Sequence, residues 1–522
     1  MRSQGPTHAR RRAGGQHREA ARPLPRQVRR AARHRAQRQA GGRCHAQRVA
    51  LMSTTVPAII SRADVPPLYE HQEQNVQFKL THPRMIDGSD PGTGKSRTCL
   101  EAFARLKAAN QVDRMLVLAP LSILRPSWAK DCAEFTPQLS CSVVTAKEKF
   151  KALPPAVDAD IYITNHDAVK WLKDWRPPAG ERWVLVIDEA PAFKNRTSQR
   201  SKALAHLRQY FDWRWPMSGT LNANGVLDTW HIAFLTDDGE RLGRQFWGFR
   251  AQVCTPVATG PGGQYTEWQE KPHARAIVAD RLKDIVFRVK FEDCLDVPEN
   301  VTRHLEVELP PRMMAQYRQL LREAAVEHES GAMITAIHAG AKAQKLLQLC
   351  SGAIYDGEGG YKVFDTSRTD LALDLIEQRE QSVCAFLWKH QRDLLVEGAR
   401  QRGLRFGVID GETPVKEREV LVARFQAGDL NVIFAHPQSA GHGLTLTRGT
   451  ATIWPSPTSN AEHFQQLNRR IYRAGQKQRT ETICISAADT REKQVYERLD
   501  GKLVKMAELN SLLIGLTTPT IH

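Results

Sequence analysis

The sequence predicts an α/β chain made of two blocks of parallel β/α units, joined through a middle region of different character. Two observations carry this. Apolar runs such as Met115-Leu-Val-Leu-Ala, Ile161-Tyr-Ile-Thr and Trp183-Val-Leu-Val-Ile lack polar alternation, as strands do when helices cover both faces of their sheet. The pattern resumes downstream in Val383-Cys-Ala-Phe-Leu-Trp, Phe406-Gly-Val-Ile-Asp, Val432-Ile-Phe-Ala and Thr480-Glu-Thr-Ile-Cys-Ile. Between the blocks, about 237–300, lies Gly260-Pro-Gly-Gly263 and little strand character, which reads as an insertion or linker.

From the N-terminus, residues 1–51 form an arm with fourteen Arg, no Lys and one acid, Glu19, so most of the net charge of +17 sits there and the rest of the chain carries about +4. With almost no bulky apolar residues the arm cannot bury enough surface to fold alone and is expected to be disordered. Three readings stay open: a nucleic-acid-binding tail, a transit peptide, or a stretch upstream of a true translation start at Met52. Arginine without lysine favours the last, and the arm lacks the amphipathic face and serines of a transit peptide. Residues 52–236 are expected to form the first domain. Residues 301–522 are expected to form the second, with a helical insertion near 310–350, where Met313, Tyr317, Leu320 and Leu321, then Leu346 and Leu347, recur at helical spacing.

With 522 residues the chain has ample core for several domains. It contains no apolar run of membrane-spanning length and no apolar secretion segment. The nine cysteines are scattered without zinc spacing, as expected of reduced thiols in a cytoplasmic protein.

Ser89-Asp-Pro-Gly-Thr-Gly-Lys-Ser96 is a phosphate-binding loop. Gly92 and Gly94 let backbone N–H groups around Thr93 approach a triphosphate. Lys95 reaches the β/γ-phosphates, and the Ser96 hydroxyl suits Mg²⁺. The start of a helix adds its positive end. Trp183-Val-Leu-Val-Ile-Asp188-Glu189 is a buried strand ending in two carboxylates. Asp188 is placed to hold the metal and Glu189 to polarise an attacking water. Ser218-Gly219-Thr220 follows a further strand and could link the nucleotide site to a domain interface. Far downstream, Gln466, Arg470 and Arg473 are expected on or near one helical face. Arginine suits a developing phosphate charge because its fork binds phosphate bidentately. The loop and this string together imply ATP between two domains.

In this order the segments resemble the SNF2-like branch of superfamily 2 helicases and translocases, over nearly all of 66–505. Leu68-Tyr-Glu-His71-Gln72 resembles the Q-motif, in which Gln72 would read adenine. Ser89–Ser96 resembles motif I, and Leu118-Ala-Pro-Leu-Ser122, with Trp128 beyond it, motif Ia. Ile163-Thr-Asn-His166 resembles motif Ib, Asp188–Asn195 motif II with its trailing Lys194-Asn195, and Met217–Asn224 motif III. Asp410-Gly-Glu-Thr and Arg424-Phe resemble motif IV and the segment after it, Ser439–Leu446 motif V, and Gln466–Gln476 motif VI.

The resemblance implies two tandem RecA-like domains, ATP with Mg²⁺, and a monomeric motor on double-stranded DNA that does not separate strands. A strand-separating DNA or RNA helicase, or a DNA-binding or annealing factor with impaired ATPase, are the alternatives. It further implies coupling through Ser218, Gly219, Thr220, Gly441 and Gly443, and phosphate contacts from Thr164, Asn165 and Thr445. The chain departs from the family at Ser89-Asp90, Pro191, Leu221, His442 and Arg469. It has no recognisable chromodomain, bromodomain or zinc finger, which resembles a compact phage or prophage version. The Trp-rich stretch 171–247 is expected to be core and interdomain packing.

Overall fold

The three apolar runs of the first block are strands of one parallel sheet, β2 (Arg114–Ala119), β4 (Ile161–Asn165) and β5 (Trp183–Ile187), which the shorter β3 (Cys141–Val143) and β6 (Trp213–Pro216) complete in the order β3-β4-β2-β5-β6. The computed structural model describes residues 65–222, 225–259, 265–294, 296–329, 336–356, 360–440 and 444–517. The arm, Gly260–Gly263, Gly441 and Gly443 therefore lie outside the described residues. A two-residue strand, β1 (Ile86–Asp87), joins β6 through the bridges Arg84–Arg214 and Asp87–Met217 and pairs on its other side with β9 (Val286–Phe287). The strand that feeds the phosphate loop is thus flanked on both sides. Its helix, Lys95–Ala108, follows directly.

The segment 237–300, expected to be an insertion or linker, packs as part of the first lobe. A hairpin of β7 (Cys254–Thr259) and β8 (Tyr265–Glu270) leads to helix Ala274–Leu282 and then to β9. Val278, Leu282, Ile285 and Val286 enter the same core as Leu118, Leu185 and Ile187. The first lobe therefore runs to about residue 294. The strand that proves it has only two residues, too few to register as a periodic pattern.

The second lobe is a six-stranded, all-parallel sheet in the order β10-β17-β16-β13-β15-β14. Its strands are β10 (Asn300–Val307), β13 (Ser382–Ala385), β14 (Phe406–Ile409), β15 (Val432–Ala435), β16 (Ala451–Trp454) and β17 (Thr480–Ala487). Helices Pro311–Glu329 and Ala336–Cys350, and a small hairpin of β11 (Ala353–Tyr355) and β12 (Tyr361–Val363), lie between β10 and β13. The last helix, Arg491–Thr517, starts on the second lobe, where Tyr496 and Leu499 pack with Trp454, and ends in the first-lobe core through Leu509 and Leu513. Trp175, Trp183, Trp213, Trp215 and Trp230 are buried as expected of core residues, but Trp247 is 57% exposed, with the guanidinium groups of Arg196 and Arg250 over its ring. None of the described helices is long and apolar enough to cross a membrane.

Candidate functional site

The phosphate loop leaves β1 at Gly88 and turns back at Gly92 and Gly94, whose φ angles of +92° and +86° lie in the left-handed region. At Gly94 a Cβ atom would come within 2.2 Å of the Gln72 amide nitrogen, so both the backbone and the space require glycine. That approach exists because helix Glu70–Thr81 lies over the loop. Gln72 Nε2 donates to the Thr93 carbonyl at 3.2 Å, and His71 Nε2 lies 3.0 Å from the same oxygen. The Gln72 amide oxygen accepts from Tyr69 N, so this side chain ties the helix start to the loop. Lys95 Nζ donates to the carbonyls of Ser89 at 2.7 Å and Asp90 at 3.0 Å, which holds its charge inside the loop. Ser96 is half-buried in the first turn of the following helix.

Beneath the loop, Lys79 and Asp87 form a fully buried ion pair at 2.7 Å, and Asn75 donates to the same carboxylate at 2.8 Å. Burial alone would push the Asp87 carboxyl up, but Lys79, Lys95 and the Asn75 amide hold it down at about 2. Lys79 also reaches Thr98 in the helix after the loop. Sequence reasoning missed this network, because Lys79 lies on a helix and Asp87 on a two-residue strand, with no local pattern linking them.

The two carboxylates stand at the end of β5. Asp188 is buried, accepts from Trp128 Nε1 at 2.8 Å through one oxygen and from Glu189 N at 3.0 Å through the other. His166 Nε2 lies 2.8 Å from the Asp188 carbonyl. The side chains in the segments resembling motifs Ia and Ib thus fix the metal-binding candidate. Glu189 has φ +49°, which turns the chain sharply just after the strand. One turn beyond Trp128, burial pushes the Asp131 carboxyl up to about 7, with Glu134 and Asp188 adding to the effect and Lys130 and Arg473 opposing it.

Ser218–Thr220 lies between these two features. Ser218 N donates to the Asp87 carbonyl, Ala190 N donates to Met217 O, and Thr220 N donates to Ser218 Oγ. A Cβ atom on Gly219 would come within 2.6 Å of the Pro91 side chain. The tripeptide therefore touches the phosphate loop, and Met217 just before it touches the carboxylate turn.

The arginine string comes from the other lobe. Helix Ala461–Asn468 ends within it, after Gln466, and Arg469–Gly475 form a run of turns, so Gln466, Arg470 and Arg473 do not share a helical face as expected. Gly475, at φ +90°, and Gln476 close the run, the Gln476 amide donating to the carbonyls of Gly449 and Ile471. Buried Gln466 holds Arg470 through its carbonyl, which accepts from Arg470 Nε at 3.0 Å. The Leu444 carbonyl accepts from both Arg470, at 3.3 Å, and Arg473, at 3.0 Å. The Arg473 side chain closes on the loop: its Cβ would lie 3.7 Å from one added to Gly92. Burial and the adjacent Arg473 lower the Arg470 guanidinium to about 9, with Glu189 opposing, and burial lowers Arg473 as well. Both remain charged at neutral pH. A buried guanidinium, Arg470, and a half-buried one, Arg473, beside a carboxylate turn and a phosphate loop fit a polyanion between the lobes.

Of the expected nucleic-acid contacts, Thr164 is contradicted. Its side chain is fully buried and its hydroxyl donates to Val144 O at 2.8 Å, because at that position of β4 it faces the sheet interior. Asn165 and Thr445 are half-buried at the ends of β4 and of the segment that holds the arginines. Among the described residues no cluster of His, Cys, Asp and Glu forms a metal site of its own.

The SNF2-related domain family matches residues 71–351, and the helicase conserved C-terminal domain matches 367–475. The chain is similar to protein p41 of Acyrthosiphon pisum secondary endosymbiont phage 1, at 28% identity over 84% of this chain and 96% of that protein. It is similar to the chromodomain-helicase-DNA-binding protein 1-like of Danio rerio at 22% identity over 80% of this chain, but spans only 41% of that protein. The SWI2/SNF2 ATPase core of Sulfolobus solfataricus, solved in complex with dsDNA, is 19% identical and covers 89% of this chain and 98% of its own, with a TM-score of 0.41.

Proposed function

Because this chain belongs to the SNF2-related domain family and carries a helicase conserved C-terminal domain, it is a DNA-dependent ATPase, and we propose that it is a double-stranded DNA translocase. The observation that carries the proposal is the meeting of Gly92 and Arg473 across two lobes, with Glu189 near enough to Arg470 to act on its charge. A site assembled from both lobes makes the separation of the lobes depend on the nucleotide, which is what stepping requires.

In this reading Lys95 exchanges the carbonyls of Ser89 and Asp90 for the β/γ-phosphates, and backbone N–H groups of Gly92–Ser96 line the phosphates. Ser96 and Asp188 would hold Mg²⁺, which would supply charge neutralisation to the triphosphate. Trp128 and the Glu189 N–H keep the Asp188 carboxylate aimed. Glu189 orients a water and accepts its proton. Arg470 and Arg473 stabilise charge on the departing phosphoryl group, where a fork is worth more than a point charge. Gln72 ties the adenine side of the site to the loop. Ser218, Gly219 and Thr220 carry the change at the loop to the carboxylate turn. Gly441 and Gly443 are assigned to the same coupling, and Asn165 and Thr445 to DNA phosphates. The chain acts as a monomer in the cytoplasm.

Triplex displacement beside a forked-duplex assay tests the proposal. ATP-dependent release of the third strand with the fork left intact is expected. Strand separation on the fork would instead make the protein a helicase, and neither activity, with ATP still hydrolysed, would leave an ATPase that does not translocate.

A further inference from the structure

Asp90 lies in the phosphate loop itself, yet its carboxylate faces partners outside it. Arg288 Nη2 donates to one oxygen at 2.6 Å; Phe291 N, at 3.3 Å, and Arg469 Nη2, at 3.7 Å, approach the other. Arg469 belongs to the second lobe, immediately before Arg470. The same Nη2 donates to Glu292 at 2.8 Å. The Arg469 guanidinium lies 5.0 Å from the ring centroids of both Phe291 and Tyr472, and those rings meet edge-on at 5.5 Å. The cluster therefore holds two acids and two arginines, with three of the four charges on the first lobe and the balancing one on the second. Asp90, Arg288 and Arg469 are largely shielded, with side-chain exposures of 14%, 3% and 19%, so their attraction is weakly screened.

We infer that Arg469 is a positioning residue: held by Asp90, Glu292 and Phe291, it docks the arginine string on the first lobe and keeps Arg470 and Arg473 over the phosphate loop before any nucleotide arrives. The inference rests on the reading that ATP occupies this cleft. Removing Arg469 leaves two acids facing one arginine beside the triphosphate site and takes away the only charge that the second lobe contributes to the cluster. Opening the cleft then costs less, and ATP must supply the closure that Arg469 supplied.

The test is a charge swap in the full chain: Arg469→Glu, Glu292→Arg, and both together. Two quantities are read: the inter-lobe distance without nucleotide or DNA, by energy transfer between labels on exposed positions 174 and 416, and the KM for ATP. Each single variant is expected to lengthen the distance and raise KM by about five-fold or more, and the double variant to return both to within about two-fold of the parent. Parental distance and KM in the single variants, or a double variant no better than the worse single one, would overturn the inference. A residue that merely supported local folding would lower the thermal midpoint of the variants without rescue by the swap. The distance is measured without DNA, so it stays readable if the chain fails to translocate; loss of the translocase reading appears only in the triplex and turnover assays.

Discussion

Holding a half-buried guanidinium group beside a buried one is unfavourable unless an anion shares their site. Arg470 and Arg473 are in that position, with the carbonyl of Leu444 between them and Glu189 near enough to oppose the lowering of Arg470. Arg473→Ala is accordingly expected to cut DNA-stimulated ATP turnover by about 10³-fold or more while leaving nucleotide binding nearly intact, as read by single-turnover kinetics beside equilibrium titration with a fluorescent ATP analogue. Asp131 gives a second expectation at this scale. Its carboxyl is raised from 3.8 to about 7 by burial first. The folded chain thus binds that proton more tightly than the unfolded chain, so its contribution to stability is full below the ordinary carboxylate range and is lost as pH rises through about 4 to 7. Asp131→Asn should flatten the fall in urea midpoint between about pH 5 and pH 8. An unchanged profile would mean that Asp131 is not the group responsible. The arginines and the carboxylate pair were legible in the sequence because their chemistry demands particular residue types at the ends of elements. Trp128, Asp131 and Asp90 were not legible as partners, since their roles arise from distances between residues far apart in the chain, set only when the elements pack.

At the scale of elements, the phosphate loop stands on a strand of two residues. Strand β1 is kept in place by β9 and β6 at its sides and by the Lys79–Asp87 pair, which joins helix Glu70–Thr81, the strand and Thr98 of the next helix. Removing one member of a buried pair strands the other charge. Asp87→Asn or Lys79→Met alone should therefore lower unfolding free energy by about 3–5 kcal/mol, and the double variant Lys79→Met/Asp87→Leu should cost less than either single change. Urea denaturation of the four proteins checks this, and additive losses would show that the pair is not coupled. The long buried strands β2, β4, β5, β13 and β15 were legible because their runs are unbroken and apolar. Strands β1 and β9 were not, and without them 237–300 looked like a linker. The arginine segment has a helical spacing on paper, but the turns from Arg469 to Gly475 show that spacing alone does not continue a helix past its last supported turn.

At the scale of the molecule, two parallel sheets face each other through the phosphate loop and the arginine string, and helix Arg491–Thr517 ties the lobes at a second place by carrying Leu509 and Leu513 into the first core. From the sequence that stretch was assigned with 301–522 to the second domain, and only the packing reveals the tie. The order of the motifs along the chain made the two-lobe plan legible; the placement of the cleft's ionic cluster was not. Outside the arm the chain carries only about +4, so on the proposed translocase reading the protein lacking the arm should hold DNA through local contacts and show a modest salt slope. In the proposed function, duplex DNA drives ATP turnover in the shared cleft. Steady-state ATP hydrolysis measured with duplex DNA, single-stranded DNA, RNA and no nucleic acid tests it most directly: strong stimulation by the duplex is expected, and turnover left unchanged by all three nucleic acids would contradict it.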